Sequence, residues 1–294
     1  MTIDFKALGA RAAAEGKDMT KPTQGGGDFE PPAAGYCRLR FIGYVECGQQ
    51  KGTYLGKPTL KAQVRMFFEV SGPKHPVRIS EDGTRYPAWV VEVKETLSLN
   101  EKANFFKLFT RMNYAGAATH MAQLLGESYL GMLYHRTYTG RDGKPHVAID
   151  LNNKADGYSI RPPRKTDDET GEISQVIVDA PISPIRCFLW DYADKAQWDS
   201  LFIDGEHAER KNEKGEVTLA AKSKNVLQAL VAGAANFNGS PAHALAAAAG
   251  TKLDIPDSED GADAPVEGDE ATATPATTAK PSTAPVDPLA GIVT

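Results

Sequence analysis

From residue 36 the chain alternates apolar with polar positions at period two, the signature of strands that bury one face. Over 36–46, Cys37, Leu39, Phe41 and Val45 share one parity, while Tyr36, Arg38, Arg40 and Tyr44 share the other. Residues 61–70 repeat the pattern, with Ala62, Val64, Met66, Phe68 and Val70 alternating with Lys61, Gln63, Arg65 and Phe67. A third strand is expected over 88–97, with Gly- and Pro-containing connections at 48–58 and 71–87. Helical spacing then takes over. Glu101, Phe105, Leu108, Phe109 and Met112 fit one helix, capped by Ser98 or Asn100; Ala118, Met121, Leu124 and Leu125 fit a second piece, stopped by Gly126. Strands return at 129–139 and 146–151, joined by residues 140–144, in which Asp142-Gly143 is a hairpin signal.

The resulting order, β-β-β-α-β-β, predicts a mainly β fold: a five-stranded OB-fold barrel over 30–165, whose second and third strands and loops form the oligonucleotide-binding surface. A small sandwich with an inserted helix fits the same order, and the basic-aromatic patterning of the polar parity favours the barrel. Beyond Pro162 and Pro163, residues 166–250 are expected to be a C-terminal α/β extension packed on the barrel. Its predicted parts are a short strand at Val176, Ile177 and Val178, an aromatic stretch over 183–205 and an amphipathic helix over 222–237. Residues 1–29, an Ala-rich run broken by Pro22 and Gly25-Gly26-Gly27, read as a mobile arm. After Gly250 aromatic residues vanish and Asp, Glu, Ala, Thr and Pro dominate, so 251–294 is expected to be a disordered acidic tail.

The formal net charge of −5 conceals a separation along the chain. Residues 30–165 carry 20 Lys and Arg against 12 Asp and Glu, residues 166–250 carry 7 against 13, and residues 251–294 carry 2 against 9. A basic body suits a polyanionic partner, and a flexible acidic tail can occupy the same surface until a strand displaces it; a plain solubilising role fits its composition equally well. No apolar run approaches the roughly 20 residues that cross a bilayer, and no charged N-terminal region precedes an apolar stretch, so a soluble intracellular protein is expected. Cys37, Cys47 and Cys187 are odd in number and widely spaced, which favours reduced structural thiols over a disulfide framework or a zinc knuckle.

A solvated face needs charge but has no use for exposed rings, whereas single-stranded DNA offers phosphates to the first and unstacked bases to the second. Candidate contacts are therefore Arg38, Arg40 and Tyr44 on the first strand, and Lys51, Tyr54 and Lys57 in the loop that follows. Lys61, Arg65 and Phe67 on the second strand and Tyr134, Arg136 and Tyr138 on the fourth complete the set. Singly, each is an ordinary packing ring or solvated charge; together they make a basic-aromatic surface. Trp89 falls on the parity of Val91 and Val93 and is assigned to the core. Trp190, Tyr192 and Trp198 sit among Asp191, Asp194, Asp199 and Asp204, which would repel phosphates, so packing or a protein interface is expected there. The histidines are scattered, and H-E-x-x-H, G-x-S-x-G and G-x-x-x-x-G-K-[ST] are missing, so no catalysis, cofactor or metal set is expected.

GPKHP at 72–76, SLNEKANFFKLFTRMNY at 98–114 and SPIRCFLWDYADKAQWDSLFIDGE at 183–206 resemble the single-stranded DNA-binding proteins of T7-like and related bacteriophages. The likeness spans about 30–250. It implies an OB fold, non-catalytic coating and protection of single-stranded DNA in replication, recombination and repair, and an acidic tail that contacts phage DNA polymerase and helicase-primase. Such tails commonly finish with an aromatic residue; this one ends Pro288-Leu289-Ala290-Gly291-Ile292-Val293-Thr294 and would lack that docking ring. The expected setting is the cytoplasm of the infected host, with a homodimer as a compatible assembly and no membrane partner. The competing expectation is a phage assembly or scaffold protein that binds no DNA and uses the aromatic 183–205 segment as its interface. A nuclease is disfavoured because no Asp/Glu/His cluster stands out.

Overall fold

The computed structural model describes residues 31–253 except 141, 142, 144, 154, 212–214, 216, 251 and 252. The arm expected over 1–29 and, Leu253 apart, the tail expected over 251–294 lie outside the described residues. The fold is mainly β. Its long strands are β1 (Gly35–Tyr54), β2 (Lys57–Ser71), β5 (Trp89–Thr96), β6 (Ser128–Thr139) and β7 (Pro145–Asp150), with a small hairpin of β3 (Arg78–Ile79) and β4 (Arg85–Tyr86) between β2 and β5. They form an antiparallel sheet in the order β5-β2-β1-β6-β7. The outer strands β5 and β7 come near one another without a hydrogen-bonded ladder, so the sheet curls but is not closed into a barrel.

Helix α1 (Asn104–Met112) falls between the third and fourth long strands and lays Phe105, Leu108 and Met112 against the inner face. Its N-cap is Ala103, without a side-chain cap; Asn100 instead accepts the Lys102 N–H at 2.9 Å in the preceding turn. The 48–58 segment, expected as a connection, is ladder almost to its tip. Gln49 to Tyr54 pair with Ala62 to Lys57, and only Leu55 and Gly56 turn. Both turn residues have positive φ, 48° and 74°, as the tightest hairpin loops require. The result is a long two-stranded ribbon.

The decisive local event is a bulge in β1. Phe41 pairs with Phe68, but Gly43 pairs with Phe67, so Ile42 is an inserted residue. Side chains from there to a second irregularity, between Glu46 and Gln49, change face. Before the bulge Cys37, Leu39 and Phe41 point into the inner core; after it Tyr44 does, opposite Met66, while Val45 and Cys47 turn to the outer face. Tyr44, expected on the exposed parity, is therefore 0 % exposed, its hydroxyl donating to Glu46 Oε1 at 3.1 Å. Trp89 packs against the inner core, as its parity suggested. Burial pushes the Cys37 and Cys47 thiols up to about 12, and all three cysteines are free.

The outer face acquires a core of its own from the C-terminal extension. Short ladders of β8 (Asn152–Asn153) with β9 (Gly157–Tyr158) and β10 (Arg164–Thr166) with β11 (Ile173–Gln175) lead to β12 (Arg186–Phe188), which pairs in parallel with Gly43 to Val45. The extension's strand thus lies at 173–175, three residues before the expected one. Helices α2 (Lys195–Ser200), α3 (Val226–Ala232) and α4 (Pro241–Ala249) follow. The helix expected over 222–237 is only the seven-residue α3, ended at its C-cap by Gly233. Trp198, Leu201, Leu227, Val231 and Ala246 pack with Val45, Cys47 and Phe188. Trp198 is thus a packing residue, whereas Tyr192 is exposed. Among the described residues no helix is long and apolar enough to cross a membrane.

Truncating a fully buried ring leaves a cavity, so Tyr44→Ala should lower stability by about 3–5 kcal/mol in urea denaturation. Tyr44→Phe, which removes only the hydroxyl bond to Glu46, should cost about 1 kcal/mol.

Candidate nucleic-acid interface

The outer face of β2 and β5 is roofed by the extension, and a groove of about 540 Å³ remains between them. The period-two pattern of β2 aims Arg65 and Phe67 into it, and their neighbours Val90 and Glu92 on β5 share the floor. Gly43 makes room for Phe67: a Cβ there would lie 2.6 Å from the ring, which crosses β1 at that point. From the extension come Pro184, Leu227 and Leu230, with Arg186, Lys222 and Asn225 as the polar contribution. Apolar walls with a few convergent polar groups are the usual make-up of a ligand site.

The charges in the groove are partly spent. Arg65 Nη1 donates to Glu92 Oε1 at 2.9 Å, while its Nε is buried with no hydrogen-bond partner. The Arg186 guanidinium donates to the carbonyls of Ser200 and Phe202, and its burial lowers its pKa. Asn225 is 6 % exposed; its Nδ2 donates to Gln228 Oε1 at 2.8 Å, and its Oδ1 finds no partner. Among the described residues, three cations thus line one groove against a single carboxylate, with one donor and one acceptor left over.

A cross-strand pair holds the roof. Arg40 faces Glu69 in the ladder. The Arg40 guanidinium donates to the carbonyls of Gly126 (2.8 Å), Asp179 (2.9 Å) and Val178. The Glu69 carboxylate, itself buried, accepts the N–H groups of Ile182 (2.9 Å) and Ser183 (2.8 Å). Arg40, expected to meet phosphates, is committed to backbone instead. Charge-assisted bonds of this kind are the stronger ones available to a protein.

The remaining candidates scatter. Lys51, Lys57 and Lys61 are exposed on the β1–β2 ribbon beyond the groove; the side chain of Tyr54 lies outside the described residues. Arg38 is half-buried. Tyr134 is half-buried, its hydroxyl 2.6 Å from Ser159 Oγ. Arg136 and Tyr138 are exposed on the β6–β7 hairpin, where the guanidinium sits 5.9 Å from the Tyr138 ring and that ring stacks on His146 at 5.7 Å. Because β6 pairs antiparallel with the first residues of β1, this hairpin and the ribbon project from opposite ends of the sheet. The structure therefore joins Arg65 and Phe67 in one site, sets a lysine cluster at one end and a ring-cation pair at the other, and removes Tyr44 and Arg40. Arg186, Lys222 and Asn225 carried no sequence signal, since they lie in a segment whose average charge is acidic. Among the described residues no group of three His, Cys, Asp or Glu is placed to hold a metal ion.

Comparison with protein-family models, with curated proteins and with solved structures finds no match to the chain.

Arg40→Ala should behave as a stability variant, losing about 1.5–3 kcal/mol in urea denaturation.

Proposed function

We propose that this chain is a non-catalytic single-stranded DNA-binding protein that seats the strand in the groove between β2, β5 and the extension. The observation that carries the reading is the meeting of Phe67 with Arg65, Arg186 and Lys222 in one concave site. A ring offers a stacking surface to any base, and cations neutralise the backbone without reading sequence. The strand order supports an OB-type barrel: the third, second, first, fourth and fifth long strands are neighbours in that sequence, and the groove lies on the face of the second and third. Lys51, Lys57 and Lys61 on the ribbon extend the basic track. The resemblance to phage single-stranded DNA-binding proteins supports a role in replication, recombination and repair, with the acidic residues of 251–294 meeting phage DNA polymerase and helicase-primase.

A second reading, a phage assembly protein that binds no DNA, draws on the exposed Ile185, Tyr192 and Phe202 in the aromatic segment. Its mark would be self-association on a sizing column that oligonucleotide leaves unchanged.

Labelled oligo(dT) should bind, and its affinity should fall about tenfold or more between about 50 and 200 mM salt if three phosphates are neutralised. No binding at low salt, or an affinity indifferent to salt, refutes the reading. Lys222→Ala should shallow the salt slope by about 0.7, the value for one phosphate of a single strand. Glu92→Gln, which releases Arg65, should tighten binding.

A further inference from the structure

A second cavity of about 240 Å³ lies under the loop that joins α1 to the 3₁₀ turn at 121–124, apart from the groove. Its floor is the apolar side of Met112 and Leu124, and Tyr114 forms the rim. The loop is stapled by Asn113, whose side chain donates to the Ala118 carbonyl at 2.7 Å and accepts the Ala118 N–H at 3.0 Å.

Besides Asn113, Tyr114 and Gln123, two polar residues line the cavity. Tyr129 is 0 % exposed, and its hydroxyl is buried without a hydrogen-bond partner. Glu127 brings an exposed carboxylate to the same lining. The Tyr114 and Tyr129 rings meet edge to face with centroids 6.0 Å apart, and burial first, then the Glu127 charge, raises the pKa of both. The site is tied to the groove through the backbone. Phe41 donates to the Glu127 carbonyl at 3.0 Å and accepts the Gly126 N–H at 2.8 Å, and the next residue, Ile42, lines the groove.

An occupant must suit an acceptor-only carboxylate, a hydroxyl in want of a partner, an apolar floor and an aromatic rim. Among the DNA bases, guanine alone presents two adjacent donors, N1–H and the N2 amine, with an acceptor, O6, beside them. Thymine offers one N–H between two carbonyl oxygens that a carboxylate repels. Adenine and cytosine set their amine next to a bare ring nitrogen.

We propose that the cavity receives an unstacked guanine of the bound strand, with Glu127 accepting from N1 and N2 and Tyr129 donating to O6. Bases read in this way by proteins are splayed out and bonded along their Watson–Crick edge. The proposal rests on the single-strand reading of the groove and adds a base preference to it.

The test compares labelled oligo(dT), the same oligomer with one central guanine, and the same oligomer with hypoxanthine there, at fixed salt. The guanine oligomer should bind about tenfold tighter than oligo(dT), the size of one bidentate contact, and the hypoxanthine oligomer, which lacks the N2 amine, should fall between. Glu127→Gln should erase the preference and leave oligo(dT) binding unchanged; Glu127 is exposed, and the substitution keeps its shape. Good oligo(dT) binding with no gain from guanine overturns this site and spares the groove. Failure of every oligomer to bind overturns the groove reading. A guanine-selective thermal shift with free dGMP, without any oligonucleotide binding, would overturn the strand as the source of the base.

Discussion

One inserted residue decides how this molecule is put together. Ile42 is the bulge that exchanges the faces of β1, and without that exchange Val45 and Cys47 would point inward and Tyr44 outward. Because the faces are exchanged midway, a single strand contributes to two cores: its first half and Tyr44 to the inner one, and Val45 and Cys47 to the outer one. The parallel addition of β12 beside Gly43 to Val45 begins where the bulge ends. A bulge is commonly treated as a local irregularity, but here it sets where the extension can dock.

That docking converts a flat sheet face into a concave site. An open face presents charge to water at high dielectric, where it is well screened; a roofed groove holds the same groups among apolar walls, where their fields reach further. Arg65 is the clearest case, sharing its charge with Glu92 yet keeping one buried donor unused. Under the proposed function, a strand would complete a set of hydrogen bonds that the protein leaves incomplete.

Much of the fold was legible because its signals are local. The long strands fall within a few residues of their alternating runs, and α1 sits where helical spacing placed it between the third and fourth of them. The ribbon from Gln49 to Ala62 was not legible, since Gly48, Gly52, Gly56 and Pro58 suggest a loop and only pairing across the turn makes them strand. The face of Tyr44 was misread for a related reason: a parity count assumes an unbroken pleat, and nothing in Phe41-Ile42-Gly43 announces the insertion. Arg40 kept its expected face but not its expected role, because its partners are carbonyls about 139 positions away in sequence, at Val178 and Asp179. Arg65 and Phe67 kept their expected face and line the groove. Their companions Arg186 and Lys222 are brought in by tertiary packing alone, which no spacing along the chain encodes.

The clasp formed by Arg40 and Glu69 has a further consequence. The guanidinium grips carbonyls at 178 and 179, and the carboxylate grips amides at 182 and 183, so the segment that leads into the roof is pinned from both polarities of the peptide bond. A roof fastened in this way is not a hinged door. Under the proposed function, a supple single strand could fit itself along the open flank of such a fixed channel, whereas a duplex, stiff over roughly 150 base pairs, could not bend to follow it. Under that reading, part of the discrimination between one strand and two would come from stiffness.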